Sequence, residues 1–239
     1  MATLGTIRTR VRTTGLLETT ASFWSDAELL EHIVEGVKDL WGAVVDLHQE
    51  HFATDDATNV SLSASSNQLT GVPADVFRVL LIEPRVLTTA NTGRAVRFVP
   101  RDYNSPEFEN ARAMAPQDPV GGTYIYYAVF GAGAPTAAPT IKTAPQISSA
   151  LTLRLVYIPT LAAADMEAGD ANPIPGEADN ALYAWCMAFA RAKERDDRSP
   201  DPNWLAVYAT EKQNILTRLT PRQEHEPEYV EGMFDGLMS

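Results

Sequence analysis

The sequence predicts an α+β protein: a helical bundle, made of a long capped helix and a C-terminal αα-hairpin, with a central β-rich insertion and an extended C-terminal arm. Three observations carry this expectation. Of sixteen prolines none precedes Pro73 and twelve fall between Pro73 and Pro175; a proline inside a helix costs about 3 kcal/mol, so the flanks can be helical where the middle cannot. Ser25 followed three residues later by Glu28 forms a capping box, with Trp24 and Leu29 placed to close over it as a hydrophobic staple. Leu151, Leu153, Leu155 and Tyr157 alternate with Thr152, Arg154, Val156 and Ile158, the period of a strand. With 239 residues, 45% hydrophobic and 21% charged, there is enough apolar material for a sizeable core. The expected boundaries are 1–57 for the N-terminal helices, 58–160 for the insertion, 161–219 for the hairpin and 220–239 for the arm.

Taken in order, a short amphipathic helix is expected first, using Leu4, Ile7 and Val11, with Arg8, Arg10 and Arg12 on another face. The capped helix follows. Its apolar residues recur every three to four positions from Leu29 to Phe52, which predicts a rod of about 40 Å at 1.5 Å per residue. Stepped at 100° per residue, Glu28, Glu31, Glu35, Asp39, Asp46 and Glu50 fall within about 60° of one line, making one face a stripe of acid, either a solvated helix face or a surface that meets polyanion without sticking to it. After Asp55-Asp56, read as a solvated helix end, the pattern changes to period two. Ala95–Val99, Thr123–Phe130 and Leu151–Ile158 are the strands expected there. Pro73 to Ile82 fits either a turn with a buried strand or a short helix, and Gly131 to Pro145 reads as an Ala/Pro/Thr loop.

The hairpin begins near Glu177 and Asp179, and its first helix carries Arg191, Lys193 and Arg195 at the end that the helix dipole favours for bases. Asp201 caps a second helix with Pro202 at its first position. Ala181 to Ala190 is apolar nearly all round, so that helix must be covered on several sides. Beyond Pro221 the chain is acidic, proline-spaced and poor in branched aliphatics, the composition of an extended arm, either a frayed tail or a strap that orders on a partner. Arg222, Glu226, Tyr229, Val230, Met233 and Phe234 are its candidate contact residues.

Charge excludes some functions. Lys and Arg number 19 against 31 Asp and Glu, a net charge of −12, which opposes binding to nucleic acid over a broad basic face and to acidic membrane surfaces. Nine acids against one base lie between Asp26 and Asp56, and five against one lie beyond Leu219. The arginine-bearing start has no apolar run after it and does not read as a secretory signal. Cys186 is the single cysteine, so neither an internal disulfide nor a cysteine-built zinc site is expected.

Catalytic signatures are weak. His48-Gln49-Glu50-His51 spaces its histidines at i, i+3 rather than the i, i+4 of zinc hydrolases, and no third ligand is signalled. A metal-dependent hydrolase using His48, Glu50 and His51 is the alternative enzyme reading, and a β module holding a sugar or peptide is the alternative binding reading. Cys186 sits in an apolar helix without a polar setting to activate it. Gly131-Ala132-Gly133-Ala134 lacks the lysine and following helix of a phosphate loop. No cofactor or metal is expected.

Several segments in order resemble one family. Phe23 to Leu30 leading into a long helix, Val72-Pro73-Ala74-Asp75-Val76-Phe77-Arg78, a strand ending Leu155-Val156-Tyr157-Ile158-Pro159, Ile174-Pro175 opening an Ala-rich helix that ends Lys193-Glu194-Arg195-Asp196, and Thr220-Pro221-Arg222-Gln223 before the acidic tail are similar to the head-to-tail adaptor proteins of tailed bacteriophages. The resemblance implies a structural virion protein, made in the host cytoplasm and placed in the neck between capsid and tail. It implies a ring of about twelve copies beneath the portal, extending the tunnel for double-stranded DNA without specific binding and giving the tail or nozzle a platform. In that setting the acidic stripe would line the tunnel or a subunit boundary. The long Ala/Pro/Thr loop departs from many relatives.

Overall fold

A computed structural model of the chain describes residues 2–18, 23–47, 49–56, 60–85, 96–119, 123–131, 138–163, 166–174, 178–195 and 197–219. Along the chain these form α1 (Leu4–Arg10), a π-turn (Val11–Gly15), α2 (Asp26–Val44), α3 (Gln49–Phe52), β1 (Thr54–Asp56), β2 (Ser61–Leu62), β3 (Leu69–Thr70), β4 (Val76–Pro84), β5 (Arg97–Pro100), α4 (Pro106–Arg112), β6 (Tyr124–Phe130), β7 (Thr140–Ala144), β8 (Leu151–Pro159), α5 (Ala178–Ala192) and α6 (Pro202–Leu219). The fold is mixed α+β. Contacts divide it into two units, one of residues 1–48 with 163–239 and one of residues 49–162.

In the first unit, α2 starts as its sequence requires. Ser25 Oγ accepts from the Glu28 N–H at 3.1 Å, and Trp24, buried beneath the start, donates Nε1–H to the Ala190 carbonyl at 2.8 Å. Leu29, Ile33, Val37 and Leu40 are fully buried, and α2 packs on α5 through Gly36, where a Cβ would meet Trp185 Cδ1 at 2.8 Å. α5 has no exposed residue from Ala181 to Ala192, because α1, α2 and α6 all lie against it. Asp201 caps α6, its Oδ1 accepting from the Asn203 N–H at 2.9 Å.

α2 ends at Val44 rather than continuing to Phe52. Gly42, the β-branched pair Val44-Val45 and an acid, Asp46, crowd its last turn, where low helix propensity and the negative end of the dipole both oppose extension. The N-terminal arginines also differ from expectation. The π-turn adds a residue to the helical repeat, and Arg12 is turned inward to 7% exposure, while Arg8 and Arg10 stay nearer the surface.

In the second unit, β8 is the central strand of a five-stranded antiparallel sheet. β4 runs along one edge of it, from Val76↔Pro159 to Pro84↔Leu153, and β1 and β2 follow one another along the other, with β3 on β2. The undecided segment before Ile82 is thus a strand. A second sheet places β6 between β5, parallel to it, and β7, antiparallel. Leu62, Ile82, Ile125, Ile141, Leu153 and Leu155 join both sheets in one core. Burying six such side chains contributes roughly 1.5–3 kcal/mol each.

Two expectations are corrected here. The tract read as a loop from Gly131 to Pro145 contains β7, because Ile141 and Thr143 alternate inward against Tyr126 to Phe130; residues 132–137 lie outside the described residues. Asp55, read as a helix end, is in β1, where cross-strand Arg154 draws its carboxylate into an ion pair at 2.8 Å. α4 is an element beyond those expected, started by the Ser105 cap and Pro106 in its first turn and held by buried Phe108.

Candidate functional site

The acidic stripe is divided by the end of α2. Glu28, Glu31, Glu35 and Asp39 lie on that helix, Asp46 lies in the turn beyond it, and Glu50 belongs to α3 in the other unit. No single helix therefore carries all six acids.

Three of the four stripe acids on α2 are drawn into contacts with lysines. Glu28 meets Lys193 Nζ at 2.9 Å, Glu35 meets Lys38 Nζ at 2.5 Å, and Asp39 meets Lys212 Nζ at 2.5 Å. The Tyr208 hydroxyl also donates to Asp39 Oδ2. The hydrogen bond from Lys193 holds the Glu28 carboxyl below its ordinary value, with the Ser25 N–H adding to it. For Asp39 burial pushes upward, but the hydrogen bonds from Lys212 and Tyr208 outweigh it and the carboxyl lies below its ordinary range. Burial, and then the facing carboxylate, raise the Tyr208 hydroxyl. His32 lies beside Phe189, ring centroids 5.9 Å apart, and burial lowers it against the pull of Glu28 and Glu31. Two of these contacts tie α2 to other helices: Glu28 to the turn after α5, and Asp39 to α6.

The most enclosed ionic group in this unit was not anticipated as such. Arg12 donates to Glu18 Oε2 at 2.8 Å, to the Trp24 carbonyl at 2.8 Å and to Asp26 Oδ1 at 2.7 Å, while Glu18 Oε1 accepts from the Phe23 N–H at 2.9 Å. One guanidinium thus pins both ends of the segment leading into α2. The signal available in sequence was phase: Arg12 adjoins the Leu4, Ile7 and Val11 stripe once the turn is widened.

The remaining candidates give little chemistry. Cys186 is fully buried in α5, its Sγ 3.5 Å from the Leu29 carbonyl, and burial pushes the thiol up to about 12, which keeps it protonated and unreactive. His51 packs edge-on against Phe52, and His48 lies outside the described residues, as do Arg222, Glu226, Tyr229, Val230, Met233 and Phe234. Among the described residues no three His, Cys, Asp or Glu side chains gather to hold a metal ion, and no helix is long and apolar enough to cross a membrane.

The family model of the SU10 adaptor protein matches residues 2–230. The chain belongs to that family. The match spans the helices, the strand-rich unit and part of the acidic terminus, in agreement with the resemblance to phage head-to-tail adaptors. Membership supports a structural adaptor role in the phage particle. No curated protein matches the chain.

Proposed function

We propose that this adaptor forms a ring of about twelve copies in the neck of the virion, docking under the portal, continuing the DNA tunnel and offering a platform to the tail. The observation that carries the reading is the extent of the family match, which runs through both units and into the acidic terminus. In this reading the helical flanks are the bundle that builds the ring wall, the segment near 58–160 is an insertion projecting from it, and residues 220–239 are an arm that binds a partner.

The acids support a passive tunnel. Duplex DNA carries about one negative charge per 1.7 Å, so basic walls would hold the genome by many contacts while acidic walls let it slide. Glu28, Glu31, Glu35, Asp39, Asp46 and Glu50 are assigned to the tunnel or to subunit boundaries. The lysines on Glu28, Glu35 and Asp39 temper their repulsion without reversing it.

Negative-stain imaging of purified particles, with a tag on this polypeptide, tests the proposal. A labelled ring between capsid and tail is expected, together with co-purification of the portal. Particles whose neck lacks this chain would overturn it.

A further inference from the structure

The strand-rich unit carries a polar groove with an aromatic wall. It begins where β5 ends. The Arg101 N–H donates to the Tyr127 carbonyl at 2.9 Å, fixing the start of a turn, and within that turn the Ser105 N–H donates to the Asp102 carbonyl at 2.9 Å. At its far end Ser105 caps α4, its Oγ accepting from the Phe108 N–H at 3.3 Å, and fully buried Phe108 clusters with Ala128 and Ala144. The segment between β5 and α4 is thus held at both ends. Residues 101–106 and 128–130 line a groove of about 740 Å³, inside the size range of small-ligand sites. A second hollow of about 350 Å³ adjoins it and shares Arg101, Asp102, Ala128 and Val129.

The lining selects the chemistry of an occupant. Phe130 is 42% exposed, and Tyr103 meets it edge-on at 5.1 Å, which steadies a ring that stays open to solvent. Arg101 lies 5.8 Å from the centre of the Tyr126 ring, and its Nη1 donates to the Pro100 carbonyl at 3.0 Å. Its other guanidinium N–H groups meet no acceptor among the described residues, and the side chains of Asp102 and Asn104 bond to none of those residues either. A guanidinium only donates, a carboxylate only accepts, and an amide does both.

That set matches a sugar. Each sugar hydroxyl donates and accepts, so neighbouring hydroxyls can be satisfied together by these three side chains. The C–H face of the sugar ring is apolar and suits an aromatic plate. Charge narrows the class further. Arg101 and Asp102 are the charged residues of the lining, and they cancel. An anion would be opposed by Asp102 and a cation by Arg101.

We propose that this groove binds a neutral oligosaccharide. One sugar ring lies against Phe130 with its hydroxyls bonded to Arg101, Asp102 and Asn104, and a second ring occupies the adjoining hollow. The site lies wholly within the strand-rich unit and goes beyond the neck reading: a ring would stand without sugar binding, and sugar binding would stand in a protein that forms no ring.

Saturation-transfer difference NMR of the full-length protein tests the assignment, with maltose, cellobiose, lactose and mannobiose as probes and sialyllactose as the anionic control. Saturable transfer to at least one neutral disaccharide is expected, strongest at the C–H protons of one ring. Asp102→Ala with Asn104→Ala, both exposed and free of side-chain bonds to described residues, should weaken binding at least about tenfold, and Phe130→Ala should weaken it too. Glu109→Ala, on α4 outside the lining, should leave it unchanged. Circular dichroism of each variant checks its fold. No saturable transfer from any of the four disaccharides, undiminished binding by the folded double variant, or a preference for sialyllactose would overturn the proposal.

Discussion

At the scale of single residues, Asp39 shows how an exposed acid becomes a structural one. It accepts from Lys212 and Tyr208 across the gap between α2 and α6, and these bonds hold its carboxyl below the ordinary 3.8 despite the cost of burial. A carboxyl whose folded value is depressed contributes stability that is complete above its unfolded value and is lost as pH falls through the folded one. Asp39→Asn should therefore lower the melting temperature at neutral pH, and its gap from the wild type should close as the pH drops below about 4. Thermal unfolding followed across pH 2 to 7 by circular dichroism, as a range set by the ordinary carboxyl values, measures this. A gap that stays constant down to the acid end would show that the carboxylate's charge contributes nothing. Arg12 works on the same principle in a more enclosed place, where removing one partner of an ion pair strands the other. Glu18 and Asp26 would both lose this guanidinium, Asp26 keeping its looser contact with Arg8 at 3.6 Å.

At the scale of elements, the α2–α5 contact is decided by close approach. A Cβ at Gly36 would lie 2.8 Å from Trp185 Cδ1 and 3.2 Å from Leu182 Cδ2, inside a buried seam whose indole cannot swing away freely. Gly36→Ala gains about 1 kcal/mol of helix propensity and incurs an overpacking cost of about 1–3 kcal/mol, so the expected sign is destabilising. Chemical denaturation should give a net loss of about 1 kcal/mol, and Gly42→Ala, where a Cβ meets nothing within 4 Å, should be neutral or stabilising. A stabilised Gly36→Ala would mean that the seam is looser than described. The elements legible in sequence were those whose signals are local: the Ser25 cap, the Asp201-Pro202 start and the alternation from Leu151. Signals depending on partners were not. The end of α2 lay hidden because apolar spacing continues past Val44 while propensity and dipole change sign. β7 was read as loop because only two of its residues, Ile141 and Thr143, carry its inward face, and it is β6 that makes them a strand. The stripe was readable as composition, but its lysines come from residues more than 160 positions away in two of three cases.

At the scale of the whole molecule, net charge would set the order of assembly of the proposed ring. Each copy carries −12, and about twelve such copies brought into a ring repel one another through their summed field. Closing the ring then requires well-packed interfaces of the obligate class, on the order of 2,000 Å², or a partner that gathers the copies. The portal is that partner in the proposed neck, so the free protein should sediment as a monomer or weak oligomer at low salt and assemble when portal is added. Salt separates repulsion from attraction between copies. Between about 0.01 and 1 M the screening length falls from about 30 to 3 Å, so if repulsion limits assembly, salt should shift the isolated protein toward larger species. If attractive ion pairs between copies dominated, salt would shift it toward smaller ones. Analytical ultracentrifugation across that range reads the sign directly, and a stable dodecamer at low salt without portal would refute the proposed order.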